Sequence, residues 1–317
     1  MARLPRIKVE DVAAWYHIRG QVTGCKTDRL LQNDGCQDKM IDMIKFYQKA
    51  YYCEVSALCI MGTHYHLILK FLPFQEVTIA ALKKRAQFLY PDKTKQIDNW
   101  PEEKWVTFRK RLFNLSEFMR NLQSGFARWY NDTFNRCGRF WGDRFKSSIL
   151  ADKKAELDCR LYVDLNPVRA GMIKRPEEYT GSSIYLRNSK LDEWLVPLDK
   201  LLPIHQLNKT KKYDEKKLLN DYRCRLYYRG SIPTKKGQAK ISKETLNHEI
   251  SRGFTAPGMY RNRLRYFIDG IFIGSQANID KLINKLTKNN DYITQKTATT
   301  LPDGKHHCLH TPRDVAI

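Results

Sequence analysis

Two short stretches carry residue types that can do chemistry, at spacings that would bring them together. In His64-Tyr65-His66 the imidazoles stand at i and i+2; on a strand both project from one face, roughly 7 Å apart at their bases. Such a pair can converge on one divalent ion, or can be two ordinary polar residues of a half-exposed strand. A dinuclear hydrolase centre needs further His or Asp ligands directly after the pair, and Leu67-Ile68-Leu69 follow instead. The histidines open to complete a site are His17 upstream and His205 and His248 toward the C-terminus. The second stretch is Tyr162-Val163-Asp164-Leu165-Asn166-Pro167. Its phenol and amide are i and i+4, on one helical face with Asp158 a turn earlier, so both can approach one site. The chain holds 17 tyrosines, and side-chain chemistry alone does not choose Tyr162 over Tyr130 or Tyr16.

The elements that must position these residues are readable from hydrophobic period. Ala14–Thr23 mixes aromatic and β-branched residues and ends at Gly24, which reads as a strand. From Gln37 to Ala50, Met40, Ile41, Ile44 and Tyr47 follow helical spacing. Two apolar runs, Cys53–Met61 and His64–Leu72, are separated by Gly62-Thr63 and form a hairpin signal. Strand, helix, strand, strand opens a ferredoxin-like α+β layer, an antiparallel sheet with helices on one or both faces. Residues 74–114 read as an insertion, with a helix near Val77–Leu89 and basic clusters at Lys83-Lys84-Arg85 and Arg109-Lys110-Arg111. Leu115, Phe118, Met119, Leu122, Phe126 and Trp129 then mark a second core helix capped by Asn114, with Glu117 three residues on. A strand over Arg144–Leu150 follows, and Asp152 caps a helix from Lys153 to Leu165 that must stop at Asn166-Pro167. Past Pro203 the composition turns Lys-rich, with helices near Asp214–Tyr228 and Lys243–Ser251 and a third region around Arg261–Leu286. The expected organisation is a larger domain over 1–204 and a small, basic, mostly helical domain over 205–317 that binds DNA or a partner.

With 317 residues and 42% hydrophobic content the chain can fill a real core. Its 56 Lys+Arg against 34 Asp+Glu leave a net charge of +22, far beyond what solubility needs, and point to a polyanionic partner. Residues 1–204 carry 34 basic and 24 acidic residues, and 205–317 carry 22 and 10, so the smaller part is the denser cation. No apolar run approaches the roughly 18 residues of a membrane span, and the N-terminus lacks the apolar region of a signal peptide. A cytoplasmic nucleic-acid-binding protein is expected, with no membrane. The eight cysteines are scattered without a CxxC pair, as reduced, packed thiols would be. The tail His306-His307-Cys308-Leu309-His310 is either a soft-metal site or a fortuitous cluster. Trp141 and Tyr65 are open to base stacking or to core packing.

Four segments, in this order and spacing, carry a resemblance: Trp15-Tyr16-His17-Ile18-Arg19-Gly20, Met61-Gly62-Thr63-His64-Tyr65-His66-Leu67, Gly138-Arg139-Phe140-Trp141-Gly142-Asp143-Arg144-Phe145-Lys146-Ser147, and Tyr162-Val163-Asp164-Leu165-Asn166-Pro167-Val168-Arg169-Ala170-Gly171, followed by Tyr179 and Ser182-Ser183. The sequence resembles the single-tyrosine HUH transposases and, within them, the REP-associated tyrosine transposases, over roughly residues 12–190. Gly62-Thr63 departs from the pattern at the turn before the first histidine, and the insertion over 74–114 has no counterpart that carries over. The resemblance implies that Tyr162 is the nucleophile, that His64 and His66 are metal ligands with Asn166 as the third, and that the ion is Mg²⁺ or Mn²⁺. It implies single-stranded DNA as substrate, folded as an imperfect hairpin, with nicking through a 5′-phosphotyrosine link and rejoining by a 3′-hydroxyl. Arg19, Arg144, Lys146 and Arg169 lie in or beside the motifs and are the expected DNA contacts, and the expected assembly is a monomer or homodimer at the bacterial nucleoid. Two alternatives stay open: a domesticated regulator that binds DNA without cutting it, and a replication initiator or relaxase on the same fold.

Overall fold

The sheet is built around β1 (Ala14–Gln21), which pairs antiparallel with β3 (His64–Phe71) on one side and with β4 (Lys146–Leu150) on the other. Between β1 and β3 run α1 (Cys36–Ala50) and β2 (Cys53–Ile60), and β2 pairs antiparallel with β3 as the outer strand. The order β2-β3-β1-β4 is that of the ferredoxin-like layer read from the sequence, and the α+β class is borne out. The structure is a computed structural model, and it describes residues 9, 12–25, 27–202, 214–233, 236–254, 270–287, 299–300 and 307–310.

Residues 74–114 fold into helices α2 (Ile79–Leu89), α3 (Thr94–Asp98) and α4 (Glu102–Leu112). They bury Leu82, Ala86, Ile97, Trp105 and Phe108 in the same cluster as α1 and α5 (Leu115–Thr133), so the insertion enlarges the core on that side. Asn114 Oδ1 accepts from the amides of Ser116 and Glu117 at the start of α5, as its position predicts.

The two faces of the sheet have different covers. Tyr16, Ile18, Tyr65, Leu67, Leu69 and Ile149 point to the α1 and α5 side. Ile68, Leu150, Ala57 and Cys59 point the other way, onto α6 (Lys153–Asp164). A bulge in β2 between Val55 and Ala57 shifts the alternation, so Val55 lies with the first face and Ala57 with the second. The side-chain period of two therefore sends the even-numbered His64 and His66 to the α6 face and Tyr65 to the opposite one.

α6 is buried from Leu157 through Asp164, because it has neighbours on two sides. The sheet lies beneath it, and α9 (Leu198–Leu201) and α10 (Glu215–Gly230) cover its back through Leu157, Leu161, Leu165, Leu226 and Tyr227. A short α7 (Asn166–Arg169) continues from its end and α8 (Ser183–Asn188) lies beside it. Asp152 Oδ1 caps α6 through Ala155 N at 2.8 Å, while its Oδ2 accepts from Ser275 N. At the other end the buried Asp164 carboxylate accepts from Ser183 Oγ at 2.6 Å, Ile184 N at 3.1 Å and Tyr222 Oη at 2.7 Å.

The C-terminal region supplies the expected helices α10, α11 (Lys243–Ser251) and α12 (Gln276–Thr287). It also supplies strands that the sequence did not indicate: β5 (Gly270–Gly274) pairs parallel with β4, and β6 (Thr299–Thr300) and β7 (His307–His310) extend the sheet to seven strands. α10 shares an apolar cluster with α6. The Arg261–Asp269 part of the third expected region, His205 and His306 lie outside the described residues. Among the described residues no helix is long and apolar enough to cross a membrane.

Gly20 on β1 lies under the Tyr65 ring, where an added Cβ would sit 2.3 Å from a ring carbon. Tyr65 is fully buried and its hydroxyl accepts from Gln123 Nε2, so the ring has little room to yield. Gly20→Ala is expected to destabilise the protein by about 1–3 kcal/mol through overpacking, measured as the shift in a urea unfolding midpoint. An unchanged midpoint would contradict this packing.

Candidate active site

The register of β1 against β3 sets Arg19 opposite His66 and His17 opposite Ile68, all on the face that α6 covers. His17 Nε2 and His66 Nδ1 are 2.9 Å apart, with ring planes within 14° of each other. The Tyr162 ring stands edge-on to both, its centroid 5.5 Å from that of His66 and 6.0 Å from that of His17. His64 lies edge-on to His66 at 5.1 Å and shares a hydrogen bond between Nδ1 and Thr63 Oγ1. Two strands and one helix thus bring His17, His64, His66 and Tyr162 together.

Tyr16 and Tyr130, level with Tyr162 on sequence chemistry, are elsewhere. Tyr16 faces the α1 and α5 core and its hydroxyl accepts from Val9 N, while Tyr130 Oη accepts from Asn33 Nδ2. Trp141 and Tyr65 also belong to core packing. Trp141 donates from Nε1 to Gln123 O and packs against Phe126 and Phe140, and Tyr65 is wholly buried beside it.

Burial sets the charge states. His66 is 1% exposed, and burial first, then the neighbouring His64, His17 and Arg19, hold its pKa well below the usual imidazole range. Burial and Arg19 push His64 down to about 4. Both rings are therefore neutral at pH 7, the form with a lone pair to offer a cation. Burial pushes the Tyr162 phenol up to about 12, Cys159 adding to the shift while Arg169, Arg19 and a hydrogen bond with Asn166 oppose it. The resting tyrosine keeps its proton.

His66 Nε2 is buried with no hydrogen-bond partner among the described residues, and a buried polar atom so left calls for an explanation, a bound ion or water being one. Once His66 Nε2 offers its lone pair outward, the proton must sit on Nδ1, which then donates to His17 Nε2. In that tautomer His17 would orient the His66 ring, in the way that a second residue fixes the tautomer of a ligating imidazole. Asn166 commits its amide nitrogen to the carbonyls of Tyr162 at 2.9 Å and Val163 at 3.3 Å, closing the end of α6 and leaving Oδ1 as its remaining donor to a cation. Among the described residues, no group of three or more His, Cys, Asp or Glu is arranged to hold a metal. Two imidazole nitrogens and an amide oxygen are a donor set whose chemistry suits Mn²⁺ better than the oxygen-seeking Mg²⁺.

Arg19 lies among these groups, its Nε buried without a partner and its Nη2 donating to Gln21 Oε1 at 3.3 Å. The Arg169 guanidinium carbon is 5.9 Å from the Tyr162 ring centroid. Lys146 is exposed and in register with Arg19 across β1 and β4. Arg144 is exposed in the loop before β4. Its two-residue distance from Lys146 carries it past the end of the strand. The side chains of His307–His310 are outside what the structure describes. The seven described cysteines are free thiols.

No family model matches the chain, and no curated protein matches it. Among solved structures it is similar to one of a REP-associated tyrosine transposase bound to a REP hairpin, at 13% identity and a TM-score of 0.41, covering 68% of this chain and 96% of that one. A likeness that loose assigns neither residue nor activity.

Mn²⁺ binding followed by electron paramagnetic resonance tests the donor set directly. His66→Ala is expected to abolish binding, and His17→Ala to weaken it about 10–100-fold, the range for loss of an orienting partner. Equal affinity in His17→Ala and the parent chain would remove His17 from this role.

Proposed function

We propose that the protein is a metal-dependent tyrosine nuclease and strand transferase acting on single-stranded, hairpin-forming DNA. The observation that carries this reading is Tyr162 standing edge-on to His66 and His17 on the α6 face, with His64 beside them. The net charge of +22 supports a polyanionic substrate, and the motif resemblance supports its being a DNA hairpin.

In this reading Tyr162 Oη attacks the phosphorus of one phosphodiester in line. The new O–P bond links Tyr162 to the 5′ side of the break, the P–O3′ bond is severed, the phenol loses its proton and the departing 3′-oxygen gains one. A bound Mg²⁺ or Mn²⁺ would polarise a non-bridging phosphate oxygen. His64 and His66 would hold that ion through ring nitrogens, Asn166 through Oδ1, and His17 would keep the His66 ring in its ligating tautomer. Arg19 and Arg169 favour the tyrosyl anion over the phenol, so their charges act in the direction that attack requires. Because the phosphoester bond is exchanged and not hydrolysed, a 3′-hydroxyl can reverse the step and join strands without ATP.

Incubation of the protein with a 3′-labelled hairpin oligonucleotide and Mn²⁺ should give a labelled covalent protein–DNA adduct on a denaturing gel. Tyr162→Phe is expected to abolish the adduct while binding the same DNA within about twofold, and EDTA to abolish it in the parent chain. A parent chain that binds the hairpin and never forms an adduct would leave the non-cleaving regulator as the better account.

A further inference from the structure

Three largely buried guanidinium groups outside the candidate site meet carboxylates: Arg160 pairs with Glu156, Arg187 with Asp192, and Arg223 with Glu177 and Glu249. The two arginines at the site are held differently. Among the described residues neither Arg19 nor Arg169 has an ion pair, and each keeps one guanidinium nitrogen buried without a hydrogen-bond partner, Nε of Arg19 and Nη2 of Arg169. The hydrogen bond that Arg19 does make runs from Nη2 to the neutral Gln21 Oε1 at 3.3 Å. A desolvated cation left so is costly unless an anion joins it.

Strand register and helix geometry bring both to Tyr162. Arg19 stands opposite His66 across β1 and β3, on the face that α6 covers, and the His66 ring centroid is 5.5 Å from that of Tyr162. Arg169 arrives by way of α7, which starts at Asn166, the residue whose Nδ2 donates back to the Tyr162 carbonyl at 2.9 Å. Its guanidinium carbon is 5.9 Å from the Tyr162 ring centroid. One cation thus approaches the tyrosine from the sheet and the other from the helical layer, and each has a donor left to give.

We propose that Arg19 and Arg169 form a backbone-phosphate site of their own at Tyr162, one that holds single-stranded DNA with no metal ion present. The ligand follows from the DNA-nicking function proposed above, on which this inference rests. A guanidinium carries its charge whether or not an ion is bound, and its planar fork matches the non-bridging oxygens of a phosphodiester better than an ammonium does. Strand capture and ion capture are then separate events. The arginines draw the backbone against the tyrosine, and the imidazole and amide donors serve the ion.

The test is run in EDTA on the Tyr162→Phe chain, where no covalent step can occur. Affinity for a fluorescent hairpin oligonucleotide is measured against NaCl concentration for that chain and with Arg19→Gln or Arg169→Gln added. Each change is expected to weaken binding about tenfold, the loss of a charge-assisted contact, and to make the salt slope shallower by about 0.7. Lys93→Gln, at an exposed position between α2 and α3, controls for diffuse charge and should cost about twofold at most. Replacing the phosphodiesters one at a time by uncharged methylphosphonates should find a position that costs the Tyr162→Phe chain about tenfold and costs its Arg169→Gln derivative little, because that contact has already gone. If either Gln variant does not fold, Lys at the same position keeps the charge and loses the fork, and is expected to keep the salt slope while binding more weakly. Unchanged affinity and slope in both Gln variants, an equal loss in Lys93→Gln, or a loss that appears only when Mn²⁺ is added would overturn the metal-independent site. A parent chain that forms no adduct with Mn²⁺, alongside the expected arginine series in EDTA, would defeat the nicking reading and leave the phosphate site standing.

Discussion

Arg19 opposite His66 and His17 opposite Ile68 is the pairing on which everything at this site rests. It makes a 2.9 Å contact between two imidazoles that are 49 residues apart in the chain. Because side chains alternate with a period of two, a slip of one residue between β1 and β3 would carry both His17 and Arg19 to the α1 side. Several features hold the register. Gly20 admits the Tyr65 ring on the opposite face, β4 pins the other edge of β1 through five paired positions, and the apolar residues of both strands are sorted between two separate clusters.

Given that face, α6 has to present Tyr162 to it, and the helix is held by more than its own propensity. It is enclosed by sheet and by α10, and it is anchored at both ends by carboxylates that reach other elements: Asp152 to the end of β5 and Asp164 to α8 and α10. The latter ties the C-terminal region to the helix that carries Tyr162. A buried carboxylate with three donors is a strong positional constraint, because losing any partner leaves a desolvated group unsatisfied. The Tyr162 ring therefore sits on a stiff mount, and burial keeps its phenol protonated at neutral pH.

The ferredoxin-like core was legible because its signals are local. Alternation marked the strands, Asn114 and Asp152 marked helix starts, and Pro167 marked a stop within a residue or two of the true end. The HxH pair and the Tyr162/Asn166 spacing were legible as well, but not which tyrosine faces the histidines: that depends on strand register, which no local pattern encodes. The contact of His17 with His66 was hidden for the same reason. The buried face of α10 was not legible either. It sits in a Lys- and Arg-rich stretch whose composition suggested a solvated, separate unit, and only the packing of α10 on α6 reveals it as buried. The strands β5 to β7 were missed because two of them have four residues or fewer.

The central claim is that Tyr162 forms a covalent bond to a DNA phosphate, and mass spectrometry after exhaustive nuclease and protease digestion of a reaction with hairpin DNA and Mn²⁺ addresses it most directly. The account predicts a nucleotide remnant on the peptide that contains Tyr162, with fragment ions that place it on the phenol. A remnant on any other residue, or cleaved DNA with Tyr162 unmodified throughout the time course, would contradict it.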